Sequence, residues 1–320
     1  MISESLKTEV WRRLAHRESL TGLSLPKREG RIDLRGTVLA RPKVLDRWQT
    51  ALADIVRIEP NRIFRNAILQ DLDLTDSKLP SVHFMDSEIS NCCFDRCDLH
   101  DFRLCATTFR DCSFRGADLR DTALGAATIT GPFKGKRNHF VGVDFAEADL
   151  RGTSYVAAAF EGCAFRNTKL VKTNFATSTF VNCRFEGELR EVLFWHSDLS
   201  SRGFPENSFP SNEMRNVDFS HARLLDVEFR GLSLDGVRLP NDTEHIVIND
   251  YGRVLDKMLA ALKVQGDETA RLLIAYLGVD RRWAVPTGRG VLNRESLAAA
   301  GEDAVERVLE LLHQFGVKLC

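Results

Sequence analysis

The chain has almost no net charge and no long apolar run. Its 320 residues include 44 Lys and Arg against 45 Asp and Glu, a formal net charge of -1. That balance provides no general attraction to nucleic acid or to an anionic membrane surface, so we expect neither as a direct partner. No apolar segment approaches the roughly 20 residues that a membrane-spanning helix needs. Residues 1–18 lack the apolar core and small-residue cleavage site of a signal peptide. These features predict a cytoplasmic protein.

The sequence also lacks the short motifs that carry common enzymatic chemistry. It contains no HExxH, no GxSxG, no phosphate-binding lysine loop and no glycine-rich dinucleotide turn, and the GRG at 288–290 is interpreted as a turn. We therefore predict that the protein is not an enzyme, and we assign no catalytic residue, no metal ligand and no cofactor.

What the sequence does contain is a repeat of five residues. A large apolar residue occupies every fifth position from Phe64 to Ile129, from Phe140 to Phe185 and from Leu189 to Leu239, which makes 35 positions without an exception. The residue two positions earlier is usually small, and the others are mostly polar. A period of five fits neither a helix nor a strand. It predicts a chain that turns a corner every five residues, with one large and one small residue of each five pointing inward.

The segments FRGADLRDTAL (114–124) and FAEADLRGTSY (145–155) resemble the consensus of the pentapeptide-repeat family. This resemblance implies a right-handed quadrilateral β-helix, a solenoid in which residues twenty apart stack in columns. Phe64 would then stack with Phe84, and Phe140 with Phe160. Nearly nine coils at the ~4.8 Å spacing of paired strands would form a rod about 42 Å long. The expected fold class is mainly β, with an N-terminal helical cap and a C-terminal α-helical domain.

The eight cysteines can be explained by the repeat. Cys92 and Cys112 are twenty residues apart, as are Cys163 and Cys183, so each pair falls in a column of small residues. A metal site at Cys92, Cys93, Cys97 and Cys105 is the alternative, but the spacing simply follows the repeat. We expect buried free thiols that act as small apolar side chains.

The ends of the solenoid need caps, because each end would otherwise expose its core. Leu6, Val10, Leu14 and Trp11 predict an amphipathic helix near the N-terminus, and residues 44–56 predict a second helix. After Leu239 the repeat ends, and helices are predicted over about 250–264, 267–277 and 302–315, with a basic Pro/Gly loop at 281–294. The predicted domains are 1–61 (cap, first repeats and helical insertion), 62–241 (repeat β-helix) and 242–320 (helical domain).

Two segments are candidates for partner binding. The repeat is interrupted by GPFKGKRN (131–138), and insertions in a solenoid form outward loops that often bind. The second segment is the basic loop of the helical domain. The candidate partner-binding residues from the two segments are Phe133, Lys134, Lys136, Arg137, Arg281, Arg282, Trp283 and Arg289. A surface corner and a solvated loop are the alternative interpretations.

The family resemblance implies binding rather than catalysis. Its quinolone-resistance members resemble duplex DNA and engage DNA gyrase through an acidic surface, with a dimer formed by a C-terminal helix. Residues 62–241 carry 25 Asp and Glu against 22 Lys and Arg, far from the charge of duplex DNA. Our leading hypothesis is therefore a protein-binding scaffold or adaptor of a bacterial regulatory, immunity or defence system, with a possible homodimer through the C-terminal helical domain. A gyrase-binding DNA mimic and an enzyme with a site where the helical domain meets the last coil are the alternatives.

Overall fold

The computed structural model describes residues 2–39, 62–125, 135–155, 157–196, 211–285 and 288–317. It divides into two compact units, Met1–Lys169 and Leu170–Cys320. Short strands predominate, with one helix near the N-terminus of the first unit and a group of helices in the second. The helix predicted over 44–56 lies outside the described residues. None of the helices described combines the length and apolar composition needed to cross a bilayer.

The first unit begins with a helix that covers the first coil. Helix α1 (Glu4–Ala15) starts after Ser3, whose side chain accepts a hydrogen bond from a backbone N–H of the first turn. Trp11 is buried, and its ring meets the ring of Phe64 edge-on with centroids 5.2 Å apart. Of the predicted apolar face, Leu6 is only half-buried. Lys7 is buried in its place, because its ammonium group reaches Glu4 at 3.0 Å and remains paired.

The remainder of the first unit consists of very short strands. These are β1 (Lys27–Arg28), β2 (Arg31–Asp33), β3 (Ile63–Arg65), β4 (Ile68–Gln70), β5 (Leu72–Asp73), β6 (His83–Met85), β7 (Glu88–Ser90), β8 (Arg103–Cys105), β9 (Thr108–Arg110), β10 (Ala123–Gly125), β11 (His139–Val141), β12 (Ser154–Tyr155), β13 (Ala159–Glu161) and β14 (Ala164–Arg166). β1 and β2 pair antiparallel, and the other pairings described in this unit are parallel.

Parallel pairing joins residues twenty apart in the chain. Phe64 pairs with Phe84, and Leu69 with Ile89. Consecutive pairings build the ladders β3-β6-β8-β10-β12 and β4-β7-β9-β11-β13. Two further ladders are made of isolated bridges; one of them connects Asp98 with Asp118. Each coil of twenty residues therefore contributes to four ladders, as the resemblance to the pentapeptide-repeat family implies.

The corners between the strands explain why polar residues recur with the same period. The residue two positions after each central apolar residue commonly has a positive φ; Asn66, Asp71 and Asp86 are examples, with φ between 49° and 57°. Asn and Asp tolerate this left-handed conformation better than most residues with a side chain. The repeat thus encodes both its core and its turns.

The core of the coils contains columns of aromatic rings. Phe114 stacks on Phe94 with ring centroids 4.8 Å apart, and Phe140 stacks on Phe160 at 4.9 Å. Every central position whose side chain is described is buried, except Phe229 in the second unit, which is half-buried. The cysteines described are free and buried, as predicted. Cys92 and Cys112 donate to the backbone carbonyls of Ser90 and Arg110.

Three departures from the twenty-residue spacing mark insertions into the coil. Asp33 pairs with Asp73, forty residues later, so twenty additional residues lie between them in the chain. Phe109 pairs with Phe140, which indicates eleven additional residues. In the second unit, Phe194 pairs with Phe229, which indicates fifteen. The third insertion was not predicted, because Leu199, Phe204 and Phe209 continue the five-residue period; these three residues lie outside the part that the structure describes.

A buried asparagine stands where the chain re-enters the coil after the second and third insertions. Asn138 is fully buried at a position that the repeat usually gives to a small residue, and its amide accepts from the backbone N–H of Thr107 at 2.9 Å and donates to the carbonyl of Leu104 at 3.2 Å. Asn212 is equally buried and accepts from the backbone N–H of Met214 at 3.1 Å. These amides satisfy backbone groups beside each insertion.

The second unit contains further strands followed by helices. Its strands are β15 (Leu170–Val171), β16 (Asn174–Phe175), β17 (Thr179–Val181), β18 (Arg184–Arg190), β19 (Leu193–Trp195), β20 (Asp218–Leu225), β21 (Glu228–Arg230), β22 (His245–Ile248) and β23 (Gly290–Asn293). Its helices are α2 (Tyr251–Gln265), α3 (Glu268–Trp283), α4 (Arg294–Ala298) and α5 (Ala304–Gln314). Parallel ladders join β15-β18-β20 and β16-β19-β21, and β22 pairs antiparallel with β23.

The prediction of a basic loop over residues 281–294 is partly wrong. Helix α3 does not end at Gly278 but continues to Trp283, and residues 290–298 form β23 and α4. A glycine inside a helix costs about 1 kcal/mol relative to alanine. The aromatic contact made by Trp283 at the end of α3 offsets this cost, and it was not visible in the sequence because its partners lie more than fifty residues away.

The helices share one apolar core and pack on the last strands of their unit. Leu255, Leu273 and Val308, from α2, α3 and α5, are fully buried together. Hydrogen bonds join this part to the strands, and three of them start from backbone N–H groups of the strand segment. The backbone N–H of Leu224 donates to His245 Nε2 at 2.9 Å, that of Asp226 to Ser296 Oγ at 3.2 Å, and that of Gly231 to the carbonyl of Trp283 at 3.0 Å.

Candidate protein-binding site

The predicted binding residues of the first unit are partly occupied by contacts within the chain. Phe133 and Lys134 lie outside the described residues. Lys136 Nζ lies 2.5 Å from Asp86 Oδ1, so this exposed lysine is already paired with a carboxylate. Arg137 is half-buried, and burial holds the pKa of its guanidinium below the usual range.

The predicted residues of the second unit lie around the end of α3. Arg281 forms a two-pronged ion pair with Asp256 of α2, with N–O distances of 2.7 and 3.0 Å. Arg282 is exposed, and its guanidinium carbon lies 5.5 Å from the centroid of the Trp283 ring. Arg289 donates from its backbone N–H to Asp235 at 3.2 Å. Arg281 is therefore committed to a contact between helices, whereas Arg282 has its charge in solvent.

Trp283 belongs to a stack that also contains two residues from the strands. Its ring meets that of Trp195 edge-on at 5.6 Å, and the Arg230 guanidinium lies 5.2 Å from the Trp283 centroid and 5.6 Å from the Trp195 centroid. Arg230 is held in place by Glu228 at 2.7 Å. Cation–π contacts of this kind contribute about 0.5–2 kcal/mol each. The stack therefore fixes the end of α3 on β19 and β21.

Trp195 and Arg230 were not identified from the sequence as members of this group. The sequence did contain a signal for them. Trp195 and Arg230 each follow a central phenylalanine, so both occupy outward positions of the repeat. A tryptophan at such a position would expose a large apolar ring unless another part of the chain covered it. An outward tryptophan in a solenoid indicates a covered face. The sequence did not show which residue pairs with Trp195. Arg230 lies opposite Trp195 only because fifteen additional residues separate the two coils in the chain.

A half-buried aspartate lies beside the stack. Asp280 accepts a hydrogen bond from the hydroxyl of Tyr251. Burial, together with the nearby charges of Glu228 and Asp226, raises the pKa of Asp280 to about 6. Asp280, Tyr251 and Trp283 line a cavity of about 30 Å³, which is room for about one water molecule.

The same part of the chain contains an aspartate–histidine pair. His245 Nδ1 lies 2.8 Å from Asp242 Oδ1, and Nε2 accepts from the backbone N–H of Leu224. Both ring nitrogens are thus engaged within the fold. The adjoining cavity, which Arg289 also lines, measures about 200 Å³. Pockets for small molecules usually measure about 300–1,000 Å³.

Comparisons with known proteins agree with the repeat. The profile of the family described as pentapeptide repeats matches residues 92–131 as eight copies. The pentapeptide repeat protein MfpA of Mycobacterium tuberculosis (strain ATCC 25618 / H37Rv) is 32% identical over 102 residues, which are 30% of this chain and 54% of MfpA. The match thus spans about half the length of that relative.

Similar solved structures are also pentapeptide-repeat proteins or resistance proteins. Rfr23 from the cyanobacterium Cyanothece 51142 is 14% identical, with a TM-score of 0.34 over 43% of this chain and 96% of Rfr23. QnrB1, a plasmid-mediated fluoroquinolone resistance protein, is 14% identical, with a TM-score of 0.25 over 52% of this chain and 81% of QnrB1. With eight matched copies and a five-residue period in its coils, the chain is a distant pentapeptide-repeat protein.

Proposed function

We propose that this protein is a non-catalytic scaffold or adaptor that binds another protein in the bacterial cytoplasm, as part of a regulatory, immunity or defence system. In this proposal, residues 62–241 form a right-handed quadrilateral β-helix between a cap at 1–61 and a helical domain at 242–320. The four ladders of each twenty-residue coil support the quadrilateral form.

The observation that carries the proposal is that the carboxylates of one ladder in the first unit are engaged by neighbouring side chains. Asp98, Asp118 and Asp149 stack in successive coils. Each is paired with the residue two positions later: His100 at 2.5 Å, Arg120 at 2.6 Å and Arg151 at 2.7 Å.

A surface built this way carries alternating charges at close range. It suits directional polar contacts with a folded protein, whose surface is also mixed. It is unsuited to imitating duplex DNA, which carries about one negative charge per 1.7 Å of its axis.

The alternative function is a DNA mimic that binds and protects DNA gyrase, as the resemblance to the quinolone-resistance proteins implies. The net charge of residues 62–241, with 25 acidic against 22 basic side chains, weighs against it. An enzymatic site where the helices meet the last coil is a weaker alternative, because the cavities described there are small and His245 is engaged on both nitrogens.

The test is capture of partners from the native host with the immobilised full chain, followed by mass spectrometry, with and without excess duplex DNA. A scaffold is expected to retain a specific partner in the presence of DNA, because the two do not compete for one charged surface. Recovery of gyrase subunits that DNA displaces would overturn the proposal in favour of mimicry. A gyrase supercoiling assay with a quinolone provides the second readout, and the expected result is no protection.

The same capture experiment tests the candidate loop. A chain lacking residues 127–137 removes Phe133, Lys134, Lys136 and Arg137 together, and it keeps the repeat in phase because eleven residues are additional there. Loss of the partner from this variant alone would assign recognition to the loop. Retention would assign it elsewhere, with the helical domain as the next candidate. A homodimer through the helical domain is tested separately by light scattering of the purified chain.

A further inference from the structure

Helix α3 has a second apolar stripe that faces solvent. Its inner face is formed by Ala270, Leu273 and Leu277, which are fully buried in the helical core. On the outer face, Leu272 is 47% exposed and Val279 is 46% exposed. One apolar face is enough to fix a helix on its domain, so the outer stripe is not needed for folding.

The outer stripe follows the spacing of a helix-packing seam. Leu272, Ala275, Val279 and Arg282 are separated by three, four and three residues, and all four are exposed. This is the alternation of positions that meet a second helix in a coiled-coil-like contact. Ala275 lies between the two larger side chains, and a small residue there allows a second helix to approach closely.

Two arginines mark the ends of this stripe. Arg271 and Arg282 are exposed, and neither has a carboxylate within ion-pair distance among the residues described. By contrast, Arg281 is paired with Asp256, and Arg307 is paired with Asp267 and Asp303. Arg271 and Arg282 are eleven residues apart, which corresponds to roughly 16 Å along the helix axis.

We infer that the outer face of α3 binds an amphipathic helix of a partner protein, one whose apolar stripe is bordered by carboxylates about eleven residues apart. This inference rests on the proposed function and specifies its partner. The charges favour such an occupant over a second copy of the chain. The face carries Arg271 and Arg282 against the single carboxylate Glu268, so two copies would bring together two faces of net positive charge.

The experiment uses the full chain and two synthetic probes. Each probe is an amphipathic helix of roughly 18 residues, about five turns, with leucines in one stripe. The first has glutamates eleven residues apart beside the stripe, and the second has lysines at those positions. Binding is measured by titration calorimetry, with circular dichroism of every variant as a check on folding.

The expected result is saturable binding of the glutamate probe and weaker binding of the lysine probe. The double variant Arg271→Glu/Arg282→Glu should bind the glutamate probe at least about tenfold more weakly, which corresponds to roughly 1.4 kcal/mol or more. It should bind the lysine probe more tightly than the wild-type chain does. Arg253→Glu is the matched control, because Arg253 is also exposed but lies on α2. It should change neither titration. No saturable binding, or equal binding of both probes, overturns the inference.

Two further measurements separate this inference from the proposed function. If light scattering shows a dimer that Leu272→Glu converts to monomer, a second copy occupies the face and the inference is wrong. If the double arginine variant still captures the host partner that the wild-type chain captures, the scaffold proposal stands and the assignment of this face falls. If the wild-type chain captures no partner but the glutamate probe binds as expected, the scaffold proposal fails. The outer face of α3 is then still assigned as a binding site for an acidic amphipathic helix.

Discussion

Phe194 lies directly opposite Phe229 in a parallel ladder, with ring centroids 5.3 Å apart and planes within 7° of parallel, although the residues are thirty-five apart in the chain. The usual separation of partners in these coils is twenty. The chain between Phe194 and Phe229 therefore contains fifteen additional residues, which is the length of three repeats. Because fifteen is a multiple of five, the sequence period continues through the insertion and conceals it.

This register predicts that removing residues 197–211 leaves the coil intact. The deletion joins His196 to Asn212, which already occupies the position two residues before the central Met214. Urea unfolding should give a free energy within about 1 kcal/mol of wild type, since shortening a loop changes its closure entropy only modestly. The control removes fourteen residues, 197–210, and shifts the phase by one.

The control deletion should be less stable than the fifteen-residue deletion, because Ser211 then remains as one additional residue that a tight corner has to accommodate. Equal stability of the two deletion variants would contradict the register. So would the loss of folding in the fifteen-residue deletion alone.

The second prediction concerns the buried amide of Asn138. The substitution Asn138→Ala leaves the N–H of Thr107 and the carbonyl of Leu104 without this partner in a buried site. We expect a loss of about 2–6 kcal/mol in the free energy of unfolding, at about 1–3 kcal/mol for each of the two unsatisfied groups. Thr108→Ala, at a half-buried outward position nearby, should change it by less than about 0.5 kcal/mol. A small effect at Asn138 would show that water replaces the amide.

The sequence predicted the coils better than the parts that close them. The apolar residue at every fifth position determines which side chains are buried, and nearly all described central positions confirm this. The half-buried Phe229 is different because it lies in the last ladder strand, beside the helices.

What could not be predicted depends on contacts distant in the chain. The continuation of α3 past Gly278 requires Trp283 to reach Trp195 and Arg230. A local pattern contains no information about such partners. For the same reason Arg281 and Arg282, adjacent and chemically identical, were predicted together, although only Arg281 faces a carboxylate of another helix.

The third prediction compares two glycines of the helical part. A Cβ at Gly290 would lie 2.1 Å from the ring of Tyr251, which is buried and bonded to Asp280. Gly290→Ala should therefore cost about 1–3 kcal/mol through overpacking. Gly278 lies inside α3 with nothing within 4 Å of such a Cβ, so Gly278→Ala should gain about 0.5–1 kcal/mol in helix propensity. Thermal unfolding of the two variants measures both changes in stability. If Gly290→Ala and Gly278→Ala change the stability in the same direction, the packing around Tyr251 is contradicted.

The last prediction concerns the pH dependence that Asp280 gives to stability. Its folded-state pKa is about 6 against an ordinary 3.8, so the folded chain holds this proton more tightly than the unfolded chain does. The contribution is fully present below about pH 4 and is lost as pH rises through 6. Asp280→Asn keeps an acceptor for the Tyr251 hydroxyl and removes the charge, so it should stabilise the protein at pH 7.5 by at most about 3 kcal/mol.

The gain from Asp280→Asn should shrink towards zero between pH 6 and pH 4, which is measured by urea unfolding of both chains across that range. The control is Asp256→Asn, because the ion pair with Arg281 lowers the pKa of Asp256. That carboxylate stabilises the fold above its ordinary pKa and loses the effect as pH falls. The two substitutions should therefore have opposite signs at pH 7.5. If the stability difference between Asp280→Asn and the wild type does not vary with pH, the Asp280 carboxyl stays charged in the folded chain. Water in the cavity beside Trp283 would then have to solvate that charge.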